Sequence, residues 1–167
     1  MSLALFQTKR CQKLKRKIIG VLCFVMATTL LLASCGKKDY SAITNNPNSV
    51  KPTITKALRQ RKVVLILIDH TCPDCKRDED QIVQNVQKLR KNNHYVLVYD
   101  ISKVSHSDLK YLMRNVPGVE YKNGIATPTF ILLRSSEEHH FFVPISVLRD
   151  KGTSEQINNF FERAGEY

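Results

Sequence analysis

The chain has 167 residues, enough for one domain around one compact core. Apolar residues make up 43%, which excludes a wholly disordered chain, and five cysteines are too few for a disulfide-stapled miniprotein. The formal charge is +11, but six bases and no acid lie in residues 1–34, which leaves twenty bases against fifteen acids beyond them. That remainder shows no basic stripe interleaved with aromatics, which argues against nucleic acid as a partner.

The N-terminus reads as an address. Lys9, Arg10, Lys13, Lys15, Arg16 and Lys17 precede an apolar segment from Ile18 to Ala33. Cations held at the cytoplasmic leaflet ahead of a short apolar stretch form the layout of a secretory signal. Sixteen residues are few for a transmembrane helix, which needs roughly 20. Leu32-Ala33-Ser34-Cys35 then resembles the lipobox of bacterial lipoproteins. The resemblance implies cleavage after residue 34, a lipid on the Cys35 sulfur and localisation at the extracytoplasmic face of the cell membrane. An uncleaved signal anchor is the alternative, and it too places the rest of the chain outside the cytoplasm. Residues 35–52 hold Asn45, Asn46, Asn48, Pro47 and Pro52 without a sustained apolar period, and they read as a flexible linker.

A domain follows over residues 53–167, and its elements alternate. Residues 53–61 fit a short helix. Val63 to Ile68 is an unbroken apolar run, the mark of a strand buried on both faces. Pro73 opens a helical stretch with Ile82, Val83, Val86 and Leu89 on one face. Its acids crowd the beginning and its bases the end, which complements the helix dipole. Tyr95 to Ile101 reads as a second buried strand. Ser105-x-x-Asp108 resembles a capping box before a stripe of Leu109, Leu112, Met113 and Val116, and Pro117-Gly118 ends that helix. Thr129 to Leu133 and His139 to Val143 fit a hairpin, and Thr153-x-x-Gln156 caps a last helix carrying Ile157, Phe160, Phe161 and Ala164. The order αβαβαββα predicts an α/β fold whose mixed sheet of about four strands has helices on both faces.

The chemistry gathers at His70-Thr71-Cys72-Pro73-Asp74-Cys75, between the first strand and the next helix. Pro73 suits the first turn of a helix, where a missing N–H costs nothing. Cys72 then falls at the N-cap, where unpaired N–H groups favour a thiolate, the attacking species in disulfide exchange. Cys75, one turn on, is placed to resolve a mixed disulfide. Asp74 sets a negative charge beside Cys72, which predicts a raised thiol pKa and a reducing dithiol, with Lys76 and Arg77 in partial opposition.

The strand, Cys72-Pro73-Asp74-Cys75, the helix and Thr127-Pro128-Thr129 before the hairpin together resemble the thioredoxin-like superfamily. The resemblance spans residues 53–167 and comes nearest to the thioredoxin-like accessory proteins encoded beside bacteriocin exporters of Gram-positive bacteria. It implies a redox-active Cys72–Cys75 disulfide with no further cofactor and no metal. It also implies a cis Pro128 beside that disulfide, and a Thr127 backbone that pairs with an extended substrate segment. Taken alone, Pro128 reads better as an ordinary strand-entry proline, and it is the cysteine motif upstream that favours the cis reading. Two positions depart from the family. Thr71 stands where many thioredoxins have tryptophan, and Ile66 where they have the buried acid that carries the resolving thiol's proton. Asp69 and His70 are the nearest substitutes. The expected partners are thiols and disulfides of exported proteins and a membrane redox protein that recycles the pair.

Two rival classes share these residues. His70, Cys72 and Cys75, with His139 or His140, present a set for a copper- or zinc-handling chaperone, although ligand count disfavours a closed zinc site. A non-catalytic bacteriocin export or immunity module is the other, against which the retained cysteines weigh.

Overall fold

The computed structural model describes residues 39–119, 124–138, 140–149 and 152–166. The signal segment, Cys35 and His139 lie outside the described residues. No described helix is long and apolar enough to cross a membrane.

Four strands form one sheet in the order β2-β1-β3-β4. They are β1 (Lys62–Ile68), β2 (Val96–Asp100), β3 (Thr129–Ser135) and β4 (Phe142–Arg149). β1 runs parallel to β2 and antiparallel to β3, and β3 runs antiparallel to β4. Among the described residues five helices accompany them: α1 (Val50–Ala57), α2 (Pro73–Arg77), α3 (Glu79–Lys91), α4 (His106–Asn115) and α5 (Ser154–Glu166).

The period-two geometry of β1 explains its continuous apolar run. Val64, Ile66 and Ile68 join a core with Ile82, Val83 and Val86 of α3 and Ile157, Phe160 and Phe161 of α5. Val63, Leu65 and Leu67 join a second core on the opposite face, with Val50, Ile54 and Ala57 of α1 and Leu112 of α4. Helices therefore cover both faces of a mixed sheet, as the alternating elements predict. Both capping motifs are formed. The Ser105 hydroxyl accepts from the Asp108 N–H at 3.2 Å. At Thr153 the bond is reciprocal, since its N–H donates to Gln156 Oε1 at 2.9 Å and its hydroxyl accepts the Gln156 N–H at 3.2 Å.

Four boundaries differ from the sequence reading. The first concerns the linker, because residues 39–52 do not form a free spacer. Two short 3-10 turns, Tyr40–Ala42 and Pro47–Ser49, pack against the domain, and Tyr40 and Ile43 are buried. Asn45 docks on the open edge of β2: its N–H donates to the Val98 carbonyl at 2.7 Å, and its side-chain oxygen accepts the Val98 N–H at 2.8 Å. A few well-placed anchors thus hold a stretch too polar to show a period. The second difference is the first helix, which starts at Val50 and ends at Ala57, with Pro52 in its opening turn.

The third is a break in the long helical stretch. Asp78 (φ −100°, ψ 8°) leaves helical geometry between α2 and α3, and its buried carboxylate takes Arg77 Nη2 at 2.7 Å. The fourth is the hairpin. β3 continues to Ser135, and β4 spans Phe142–Arg149 rather than 139–143. Ser146 pairs with Leu132 and Pro144 with Leu133, so Ile145 bulges out of register. A bulge and a proline on a half-exposed edge strand erase the alternation that announces a strand.

The turn after α4 does follow its sequence signal. Gly118 has φ +91°, and its carbonyl accepts two bonds from the Arg149 guanidinium. A Cβ there would come 3.0 Å from Val147 Cγ2, so any other residue would meet a tight contact as well as an unfavourable dihedral.

Candidate active site

β1 delivers the chain to a tight loop, and the loop delivers Cys72 to the start of α2. The Asp69 side-chain oxygen accepts the Thr71 N–H at 2.8 Å and the Thr71 hydroxyl at 2.7 Å. The Asp69 carbonyl takes the Cys72 N–H at 3.0 Å. This Asx-type turn uses the local hydrogen-bonding capacity of aspartate to reverse the chain. Cys72 is the N-cap with extended backbone (φ −69°, ψ 126°), Pro73 occupies the first turn, and the Cys72 carbonyl accepts the Lys76 N–H at 3.1 Å.

The antiparallel pairing of β3 with β1 brings the second part of the site alongside. Leu67 pairs with Thr129, so the Thr127-Pro128 step lies level with the loop that carries the cysteines. The Thr127–Pro128 peptide is cis. The half-buried Cys72 thiol donates to the Thr127 carbonyl at 3.3 Å. Cys75 is fully buried, and its sulfur accepts the Asp69 N–H at 3.5 Å. Both cysteines are free thiols in this structure.

The two thiols differ in their acidity. Partial burial pushes Cys72 up, but the Cys75 N–H, the Thr127 side chain, the Cys75 thiol and the Asp74 N–H together outweigh it, so its pKa lies below the ordinary value. Burial, followed by the Asp69 N–H in opposition and the nearby charge of Cys72, leaves Cys75 pushed up to about 12. This reverses the expectation that Asp74 raises Cys72. The Asp74 carboxylate is held by Arg77 Nη1 at 2.6 Å, while its backbone N–H favours the thiolate. Iodoacetamide at pH 7 to 8 is therefore expected to label Cys72 and to spare Cys75 in the folded chain, because only the thiolate reacts. Mass mapping of the two alkylated peptides across a pH series checks this; equal labelling of the two at neutral pH would contradict it.

Neither proposed substitute for the missing acid aims its side chain at Cys75. Ile66 is buried in the same core as Cys75, so that place is hydrocarbon. Asp69 meets the Cys75 sulfur only through its main chain. The His70 imidazole turns to β2, where Nδ1 lies 3.1 Å from Asp100 Oδ2 and 2.8 Å from the Ser102 hydroxyl. Burial pushes the Asp100 carboxyl up, but Ser102, Lys103 and His70 hold it below the usual carboxylate range. Asp69, His70 and Asp100 bring their ligand atoms within 4.8 Å of one another, whereas Cys72 and Cys75 join no such trio among the described residues. The Lys103 ammonium already occupies Asp100 Oδ2 at 3.2 Å.

One residue at this site escapes a reading by motif. The Tyr40 hydroxyl donates to the Cys75 carbonyl at 2.6 Å. Its only signal in the sequence is a lone aromatic in a polar stretch.

No family model matches the chain, and no curated protein does either. Solved structures do. One, describing the thiol resolving mechanism in yeast mitochondrial 1-Cys peroxiredoxin via glutathione/thioredoxin systems, superimposes with a TM-score of 0.50 at 13% identity over 75% of this chain and 98% of that one. The germline-specific thioredoxin Deadhead of Drosophila melanogaster is similar at a TM-score of 0.47 and 18% identity, over 72% of this chain and 95% of its own. The thioredoxin of Trichomonas vaginalis gives 0.49 and 10%, over 72% and 93%. The four-stranded mixed sheet with helices on both faces is the thioredoxin-like α/β fold.

Proposed function

We propose that the protein is a thiol–disulfide oxidoreductase, anchored through lipid on Cys35 and acting on exported proteins at the outer face of the cell membrane. One observation carries the catalytic part: a half-buried thiol of lowered pKa, 3.3 Å from the Thr127 carbonyl, backed by a buried thiol one helical turn on. The Cys72 thiolate attacks a client disulfide, forming a Cys72–client bond and releasing the client's other sulfur as a thiolate, which takes up a proton. Cys75 then loses its proton and attacks the Cys72 sulfur. The Cys72–Cys75 bond forms, the client leaves as a dithiol, and two electrons have passed to it. Run backwards, the same steps oxidise a client. The exchange needs no cofactor beyond the dithiol, but it does need a membrane redox partner to reset it.

Thr127 supplies the docking strand. Its carbonyl faces Cys72, so an extended client segment pairing with that backbone would lay its sulfur beside the nucleophile. The lipid anchor rests on Leu32-Ala33-Ser34-Cys35 after a basic and apolar lead, and residues 40–52 belong to the folded domain rather than to a tether.

The test is a trap. Cys75→Ser leaves the attack intact and removes the resolving sulfur, so mixed disulfides through Cys72 accumulate and run as reducible adducts on non-reducing gels. Mass spectrometry of the adducts identifies the clients. Absence of any adduct in Cys75→Ser, under conditions where Cys72 remains alkylatable, would refute the reading.

A further inference from the structure

We propose that Tyr40 is a positioning residue for the dithiol, holding the backbone of Cys75 in the place from which its sulfur closes on Cys72. The inference rests on the oxidoreductase reading above and adds a residue outside the cysteine motif and outside the sheet.

Tyr40 is buried in the same core as Cys75, Ile82 and Val83. Its hydroxyl donates a hydrogen bond to the Cys75 carbonyl at 2.6 Å, and its backbone N–H donates to Glu79 Oε1 at 2.9 Å. One residue thereby grips both sides of the break at Asp78, with α2 on one bond and α3 on the other. The break explains the need. Cys75 sits in a helix of five residues that stops at Arg77, so few helical bonds hold its carbonyl end. The phenol is a dependable donor here, since burial and then the neighbouring Cys75 and Glu79 charges push its own ionisation well above the ordinary range. The segment carrying it is itself pinned. Asp39 caps the turn through Ser41, Ile43 is buried, and Asn45 binds both polar groups of Val98 on β2.

The consequence for exchange is a matter of ring closure. In the disulfide form the covalent ring fixes the Cys72–Cys75 turn by itself. In the dithiol and in the mixed disulfide no such bond exists, and the turn is held by hydrogen bonds and packing. Removing the Tyr40 hydroxyl frees the open forms more than the closed one, so the effective concentration of Cys75 at the Cys72 sulfur falls. A single net hydrogen bond is worth about threefold to tenfold in such an equilibrium.

Tyr40→Phe tests this, because it keeps the ring in the core and deletes only the donor. The full chain, held in detergent, is equilibrated with a glutathione series, and mass mapping reads the Cys72–Cys75 pair alone. The expected result is a Cys72–Cys75 disulfide weakened about threefold to tenfold, the upper end being a potential about 30 mV more oxidising. Ile54→Val is the control. It loosens the core on the opposite face of the sheet, which holds neither Tyr40 nor Cys75, and it should lower the melting temperature while leaving the potential unchanged. A Tyr40→Phe potential equal to that of the parent, or an equal shift in Ile54→Val, would overturn the positioning role. A parent chain that forms no Cys72–Cys75 disulfide at any glutathione ratio would instead remove the oxidoreductase reading, and this inference with it.

Discussion

Cys72→Ser is expected to abolish disulfide exchange completely, with no mixed disulfide at any pH between 6 and 9. The reason lies in the division of labour between the two sulfurs. Cys72 is the half-buried thiol with access to a client, and the N–H groups around it hold its pKa below the ordinary value, which enlarges its thiolate share. Cys75 cannot replace it: the sulfur is buried and its pKa stands at about 12, so almost none of it is thiolate at neutral pH. A serine hydroxyl at position 72 occupies the same N-cap, but it does not ionise in this range and forms no bond of comparable stability to sulfur. Reduction of a small protein disulfide by the parent and by the variant, each driven by dithiothreitol, gives the comparison. The variant's rate should equal that of dithiothreitol alone. Residual catalysis that depends on Cys75 would reverse the assignment of nucleophile and resolver. The parent's rate should rise with pH through the Cys72 pKa, since the thiolate share grows as the proton leaves, and it should level off once that group has titrated.

The second large effect is on stability. Phe130 on β3 is 1% exposed and meets two aromatic rings of α5, Phe160 at a centroid distance of 5.6 Å and Phe161 at 5.8 Å. Phe160 and Phe161 meet each other edge to face at 5.7 Å. Phe130→Ala removes the sheet's member of this trio and opens a cavity between sheet and helix, at a cost of roughly 3–5 kcal/mol. For a domain of this size each kcal/mol is worth several degrees of melting temperature, so a fall of about 10 °C or more is expected in a thermal melt followed by circular dichroism. A change of only one or two degrees would mean that α5 contributes little to the core. The effect reaches the site as well, because Phe130 lies two residues beyond Pro128 and the same core holds Cys75.

Much of the fold was legible in the residues. The unbroken run Val63 to Ile68 announces a strand covered on both faces, and the two cores divide its side chains alternately, as a pleated strand requires. Ser105 with Asp108, and Thr153 with Gln156, mark helix starts because their side chains bond locally, within three residues. Cys72 and Cys75 were legible for the same reason. Their spacing is a property of one turn of chain, and a proline between them is compatible with a helix start.

The tertiary structure decided what depends on distant partners. Three short stretches, around Tyr40, Asn45 and Ser146, carry no period. Their places come from contacts with Cys75, Val98 and Leu132 respectively, each at least fourteen positions away along the chain. The acidity of Cys72 belongs in part to the same class, since Thr127 acts on it from 55 positions away. Local sequence puts the Asp74 charge beside the sulfur and points upward. The folded chain ties that carboxylate to Arg77, turns the Asp74 and Cys75 N–H groups toward the sulfur and brings Thr127 across from β3, and the balance moves downward. Residues near in sequence fix local geometry through steric limits and short hydrogen bonds. Electrostatic balance and the support of irregular backbone are sums over everything within a few ångströms, and only the folded chain determines which groups those are.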